Sequence, residues 1–284
     1  PEVIRNVYSV DTAEKVRQIM VGVGRYGTGQ KFYVTGVESA YKTGTSTRNL
    51  HGGHSDDTET RNYVTLMPAD NPRYVIYSAT HDIKRQNGWP LEAIHRQMEE
   101  YIAYRDDMPF TYKAYDLNKI FSVRYTADAV GQDFTEGQKA LMWQGIYPVL
   151  DSGLKPGKTI QSQYPPAGGY CAYDTRVWVS DKANALPDEW TTMEDFTGLT
   201  LENAKKQAQR LGLNVVCMGG NRAGTVTDQE VSYQDLAGGS KPGDLIRKYS
   251  TVVLYFYGDD NPGPYEDDSL TYGMNDGTGA LYGY

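Results

Sequence analysis

The residues best placed to do chemistry are Lys42-Thr43-Gly44-Thr45, a cation and two hydroxyls gathered around a glycine. They fall within Tyr41–Ser46, a stretch whose residues read as a β-strand. A glycine inside a strand removes the side chain that would hold a ligand away from the backbone. Tyr41, the bulky neighbour, points to the opposite face of the strand from Lys42. A second group, His51, His54, Asp56 and Asp57, has a His-x-x-His spacing that could offer two imidazoles to a metal. Gly52-Gly53 and Ser55 make that stretch read as a solvated loop, so a metal is not expected there. His81 and His95 read as surface or packed residues. Cys171 and Cys217 are too few for a disulfide scaffold or a four-cysteine zinc site, and their pairing stays open.

The elements around the motif read as a packed α+β unit over residues 1–104. Ala13, Val16, Met20 and Val23 recur at helical spacing behind Asp11 and Glu14, a capping-box spacing, and Gly24 and Gly27 end the helix. Strands are expected at Lys31–Val34 with Tyr41–Ser46, at Tyr63–Met67 and at Tyr74–Thr80. The turn Pro68-Ala69-Asp70-Asn71-Pro72 makes a hairpin of the last two. Pro90 fits the first turn of a helix with Leu91, Ile94, Met98 and Tyr101 on one apolar face. The order helix, strands, helix describes an antiparallel sheet packed by helices.

Residues 105–124 lose periodicity and read as a linker. A repeat follows. Gly137, Leu141, Gly145-Ile146 and Val149 are echoed at a constant offset of 67 by Ala204, Ala208, Gly212-Leu213 and Val216. Each copy reads as a short helix, a glycine stop and a strand. Then come a glutamine-bearing strand (Gln163, Gln229), an Ala-Gly-Gly turn (Ala167–Gly169, Ala237–Gly239) and a closing strand (Thr175–Ser180, Ser250–Tyr257). The two modules span 125–181 and 195–258, joined by a linker at 182–194. In the second, Leu201, Ala204, Ala208 and Leu211 form an apolar stripe, with Lys205, Gln209 and Arg210 expected to be exposed. Residues 259–284 hold six acids, five glycines, two prolines and no Lys or Arg, the composition of a disordered tail.

The net charge of −8, without a basic stripe, makes nucleic acid a poor partner. No apolar run approaches the roughly 20 residues of a membrane span. The chain opens on Pro1-Glu2-Val3 without Met or signal peptide and reads as a piece of a longer protein.

The segment Tyr8–Ile102 resembles the C-terminal third of a penicillin-binding protein transpeptidase domain. The matching pieces are Asp11-Thr12-Ala13, Val21-Gly22-Val23, Gly27-Thr28-Gly29, Lys42-Thr43-Gly44-Thr45-Ser46 and Met67-Pro68-Ala69-Asp70-Asn71-Pro72. Gly198-Leu199-Thr200-Leu201-Glu202-Asn203-Ala204 and Ser250-Thr251-Val252-Val253-Leu254 resemble PASTA domains, and the first copy is a more degenerate match. A transpeptidase followed by two small α/β PASTA modules looks like a class B, division-type penicillin-binding protein of a Gram-positive bacterium. The resemblance implies a serine D,D-transpeptidase that cross-links peptidoglycan stem peptides ending in D-Ala-D-Ala during septal wall synthesis, is trapped by β-lactams and uses no metal or organic cofactor. The intact enzyme would sit on the extracellular face of the membrane, held by an N-terminal transmembrane helix outside these residues. Its partners would be its own N-terminal part and other division proteins. Lys42 would be the positive charge near the nucleophile and the substrate carboxylate. Thr43 and Thr45 hydroxyls would bind that carboxylate, Gly44 would open the cleft edge, and the Thr45 N–H would form half of the oxyanion hole. Tyr41 stands where the family often has glycine.

The family's nucleophile is the Ser of Ser-x-x-Lys at a helix start, supported by a Ser-x-Asn loop. Both lie N-terminal to the Lys-Thr-Gly strand and so outside the 41 residues before Lys42. Ser39–Lys42 and Ser152–Lys155 spell the motif, but the first runs into the motif strand and the second into a Pro156-Gly157 turn. The alternative reading is a non-catalytic protein whose PASTA modules bind peptidoglycan or dock a partner.

Overall fold

The computed structural model describes residues 7–50, 53–84, 89–232 and 241–258. Helix α1 (Val10–Tyr26) starts at Ser9, whose hydroxyl accepts from the Thr12 amide at 3.1 Å. Ser9 is therefore the cap. Asp11 lies in the first turn, where its charge still complements the helix dipole, and pairs with Lys15 at 2.9 Å. Lys31–Val34 is not a strand. Thr28–Lys31 is a 3-10 turn, and Phe32, Tyr33 and Val34 are buried as a plug beneath the sheet. A short apolar run records burial without fixing the conformation that achieves it.

Strands β1 (Ala40–Leu50), β2 (Gly53–Met67) and β3 (Tyr74–Lys84) form an antiparallel meander with β1 at its edge. The register sets Tyr41 opposite Thr65, Lys42 opposite Val64, Thr43 opposite Tyr63, Gly44 opposite Asn62 and Thr45 opposite Arg61. The inner face carries Tyr41, Tyr63, Thr65 and Ile76. The outer face carries Lys42, Gly44, Val64 and Tyr77.

Helix α2 (Trp89–Arg105) packs on the inner face, but not by the expected stripe. Ile94 and Tyr101 are 52% and 65% exposed, and the buried face is Leu91, His95, Glu99 and Ala103. Polar side chains can line a buried face when they satisfy one another, and these do. The Thr65 hydroxyl donates to Glu99 Oε1 (2.7 Å) and lies 2.8 Å from His95 Nε2. Ser78 Oγ lies 2.6 Å from His95 Nδ1, and the Tyr41 hydroxyl donates to Glu99 Oε2 (3.0 Å). Burial pushes the Glu99 carboxyl up, while its bonds to His95, Thr65 and Tyr41 pull it back.

Residues 105–124 carry α3 (Ala114–Ile120) and bury side chains on both sides. Met108 and Phe110 join the core beneath the sheet, and Leu117 and Ile120 join the core of the last unit. The segment is a packed bridge rather than a free tether.

The following unit holds β4 (Arg124–Tyr125), α4 (Phe134–Trp143), β5 (Tyr147–Leu150), β6 (Ser162–Tyr164), β7 (Tyr170–Cys171) and β8 (Arg176–Ser180). After it come β9 (Trp190–Thr192), α5 (Leu201–Leu211), β10 (Asn214–Met218), β11 (Asp228–Val231), β12 (Leu245–Arg247) and β13 (Thr251–Tyr255). In both units the strand after the helix runs parallel to the last strand and the glutamine strand runs antiparallel to it. Gly145 and Gly212 stop the helices at φ 74° and 76°, a left-handed conformation that glycine adopts without penalty. The repeated glutamines do the same work. Gln163 Oε1 accepts from the Ala129 amide (2.7 Å) and its Nε2 donates to Ala127 O (3.1 Å). Gln229 Oε1 accepts from Phe196 N (2.5 Å) and its Nε2 donates to Glu194 O (3.0 Å). Within 182–194, β9 pairs with β12, so that stretch too is structured.

Cys171 and Cys217 are free and buried in separate cores, and burial pushes the Cys217 thiol up to about 12. The two repeat units are pinned together by reciprocal bonds between Arg176 and Asn214, each 2.8 Å, and by Tyr164 OH against Ser250 Oγ at 2.6 Å. Lys205 and Gln209 are not exposed as expected. They line a small cavity of about 50 Å³ at the junction of all three units, with Glu100, Asp174 and Arg176. Burial and then Asp174 push the Glu100 carboxyl up to about 8, against the pull of Arg96, Lys205 and Arg176. Folding therefore takes up a proton at Glu100, and this site's contribution to stability falls as pH rises from about 4.5 to about 8. Thermal melts of Glu100→Gln should lose that part of the pH slope, while matching the parent near pH 4.5. An unchanged slope would remove Glu100 from the account.

The Ala237–Gly239 turn, the 259–284 tail, His51 and Gly52 lie outside the described residues, as do the side chains of His54, Asp56 and Asp57. Among the described residues no cluster of His, Cys, Asp and Glu is arranged to hold a metal, and no helix is long and apolar enough to cross a membrane.

Candidate active-site strand and its supports

Lys42, Thr43, Gly44 and Thr45 stand together on β1, and β1 is an edge. Alternate backbone N–H groups of an edge strand face away from the sheet and are free to bind a ligand. Lys42 is exposed on the outer face, its ammonium donating to the Thr43 carbonyl. Thr43 and Thr45 project from the inner face, so cation and hydroxyls flank the strand edge from both sides. The Thr43 hydroxyl is held by the Thr28 hydroxyl at 2.8 Å, which ties the motif to the Gly27-Thr28-Gly29 turn after α1. A Cβ on Gly44 would lie 2.4 Å from Asn62 Oδ1, so the Asn62 amide lies over the glycine on the Lys42 face.

Small residues bring the α1 end against β1. A Cβ on Gly29 would fall 3.0 Å from Val23 O and 3.2 Å from Tyr41 Cβ, and one on Gly24 would fall 2.3 Å from the Tyr41 ring. Tyr41 is fully buried, its ring wedged over Gly24 and its hydroxyl anchored on Glu99. The bulky residue at this position is thus a packing element on the face opposite Lys42. Gly24→Ala is expected to destabilise the unit by about 2 kcal/mol, because overpacking outweighs the roughly 1 kcal/mol gain in helix propensity. In a Tyr41→Ala background the same change should cost almost nothing, and additive costs in chemical denaturation would disprove the wedge.

Neither alternative Ser-x-x-Lys presents a serine at a helix start. Ser39 is completely buried just before β1, and Ser152 is exposed in the turn after β5.

Residues 1–98 match the family model of the penicillin binding protein transpeptidase domain, and residues 191–258 match that of the PASTA domain. The chain is thus similar to a penicillin-binding transpeptidase domain over residues 1–98 and to a PASTA domain over residues 191–258. The probable peptidoglycan D,D-transpeptidase PenA of Neisseria flavescens is 36% identical over 86 residues, which are 30% of this chain and 21% of that protein. Stage V sporulation protein D of Bacillus subtilis is 29% identical over 80 residues, 28% of this chain and 12% of that protein. The chain thus spans about a fifth or less of the curated relatives it matches. Among solved structures, penicillin binding protein 2X of Streptococcus thermophilus aligns with 91% of this chain and 37% of its own, at 17% identity and a TM-score of 0.29. Penicillin binding protein 3 of Mycobacterium tuberculosis in complex with ampicillin aligns with 39% of this chain and 27% of its own, at 27% identity and a TM-score of 0.35.

Within the transpeptidase part, sequence reasoning quoted Thr28 without giving it a role and missed Asn62 and the His95–Glu99 pair. The i,i+4 spacing of His95 and Glu99 on α2 is a signal it could have used. Nothing in the sequence marks Asn62 as the partner of Gly44, since only the β1–β2 register brings the two together.

Proposed function

We propose that the chain is the C-terminal part of a class B, division-type D,D-transpeptidase of a Gram-positive bacterium, with the unit at 125–181 a second PASTA-like module before that at 195–258. In this reading a serine supplied from outside these 284 residues attacks the penultimate D-Ala carbonyl of a stem peptide. The Ser Oγ–carbonyl bond forms, the bond to the terminal D-Ala nitrogen breaks, and the acyl group passes to an amine of a neighbouring peptide. Lys42 neutralises the substrate carboxylate, Thr43 and Thr45 hydroxyls bind it, and the Thr45 N–H stabilises the oxyanion. β-Lactams acylate the same serine. The catalytic domain works on the outer side of the membrane, held by an anchor elsewhere in the protein, and meets other division proteins there.

The observation that carries the reading is the Lys42–Thr45 edge strand, tied to the Gly27–Gly29 turn inside the segment that matches the transpeptidase domain. Uncovered apolar surface around it also supports the reading. Val75 and Tyr77 on the outer sheet face and Val10, Val16 and Ile19 on α1 are all exposed, the kind of surface a missing part of a domain would cover.

The test is labelling with a fluorescent penicillin. The parent protein should form a covalent adduct and the 284-residue chain alone should not. An adduct on this chain, mapped by mass spectrometry to Ser39 or Ser152, would relocate the nucleophile. A parent that never labels would favour a non-catalytic binding or docking protein.

A further inference from the structure

Strand β1 carries Lys42–Thr45 at the sheet edge, with β2 on its paired side, so its tilt about its own axis depends on what grips its inner face. The grip falls on Tyr41, the residue just before the motif. The ring rests against Gly24 and meets Phe32 edge-on, with 5.3 Å between ring centres. The hydroxyl donates to Glu99 Oε2 at 3.0 Å and accepts from the Val34 amide at 3.4 Å. A side chain pinned along its length and at its tip fixes the pleat of its strand. Neighbours in a strand point to opposite faces, so any rotation at Tyr41 swings Lys42 the opposite way.

Glu99 is where the strands meet. Tyr41 and Thr65 are register partners, and each donates to a different oxygen of this one carboxylate, Tyr41 to Oε2 and Thr65 to Oε1 at 2.7 Å. The next pair along is Lys42 with Val64. Thr65 has a single hydroxyl proton, and it goes to Glu99. His95 Nε2, 2.8 Å from the Thr65 oxygen, is therefore the donor in that contact. The imidazole carries a proton on Nε2, while Nδ1 faces Ser78 Oγ on β3 at 2.6 Å. Two residues one turn apart on α2 thus hold all three strands. Tyr41, Thr65, His95 and Glu99 are completely buried, so a bond lost among them is not replaced by one to bulk water.

We infer that Glu99, oriented by His95, is a positioning residue for acyl transfer: through Tyr41 it sets the edge strand on which Lys42, Thr43 and Thr45 meet the substrate. Apolar side chains would hold a helix to a sheet as well as a buried carboxylate does. The carboxylate adds direction, and both its oxygens are used on the one cross-strand pair beside the motif. The catalytic half of the inference rests on the acyl-transfer reading above, and the structural half rests on the contacts of β1 alone.

The experiment compares Tyr41→Phe and Glu99→Gln in the parent protein. Met108→Ala is the control, opening a cavity in the separate core that holds Met67 and Phe110. Tyr41→Phe keeps the ring against Gly24 and removes only the hydroxyl. Stopped-flow labelling over a series of fluorescent penicillin concentrations, well below each melting temperature, separates the acylation rate constant from binding. That rate constant should fall about tenfold in both network variants, since misplacing a reacting group by about 1 Å costs roughly a hundredfold. It should hold in Met108→Ala. In the 284-residue chain, amide exchange in β1 should quicken about tenfold in Tyr41→Phe, while β10 and β13 keep theirs. Where the parent labels, the rate constant decides: one unchanged in both network variants, or lowered as far in Met108→Ala, overturns the inference. Should the parent never label, the acyl-transfer reading fails on its own and the exchange decides the hold on β1. Faster exchange then sustains it, and unchanged exchange overturns it.

Discussion

Under the proposed acyl-transfer function, Lys42→Ala in the parent protein is expected to slow acylation by a β-lactam roughly 30- to 1,000-fold while leaving the fold intact. The size follows from the role. A charge placed where negative charge gathers is worth about 2–4 kcal/mol in the transition state, and each 1.4 kcal/mol or so is tenfold in rate. The expected silence in stability follows from the location. Lys42 is exposed on the outer face of an edge strand, and among the described residues its ammonium donates to the carbonyl of the next residue, so its loss leaves no cavity and should cost about 0.5 kcal/mol or less. The measurement pairs second-order acylation rates with a thermal melt. An unchanged rate would make the Lys42 assignment wrong, and a parallel loss of stability would make it structural.

Ala204→Asp should unfold the PASTA domain, at a cost of about 4 kcal/mol or more. Ala204 is completely buried on α5, in one core with Leu201, Ala208, Leu213, Val252 and Leu254, where a carboxylate would find neither water nor a cation. It is a sharper probe than Ala208, which borders the small junction cavity beside Lys205 and Arg176. Arg210→Ala, on the exposed side of the same helix, should change stability by no more than about 0.5 kcal/mol. Native-state hydrogen exchange would localise the loss. Because Leu117 and Ile120 of the bridging segment share this core, protection should fall there too. Protection retained in β10 and β13 of the variant would show that the core tolerates the charge.

Local patterns settled much of this protein. The strand bearing Lys42–Thr45, the Pro68–Pro72 turn, the two helix–glycine–strand repeats and their paired glutamines depend on spacing along the chain, and a spacing of two, of three to four, or of 67 survives without knowledge of the neighbours. The packed faces were a different matter. The α2 stripe was misread because His95 and Glu99 lie inside, and polarity in a sequence says nothing about a partner that β1 and β2 deliver from 30 or more residues away. Phe32–Val34 was apolar enough for a strand, and only the closeness of α1 to β1 made it a plug. Residues 105–124 lacked periodicity because they are buried from two sides at once, under the sheet and against the PASTA core. The same holds for the amide of Asn62 over Gly44. Local sequence carries the period of an element, whereas pairing of buried polar groups and convergence of charges depend on distances that exist only once the chain has folded.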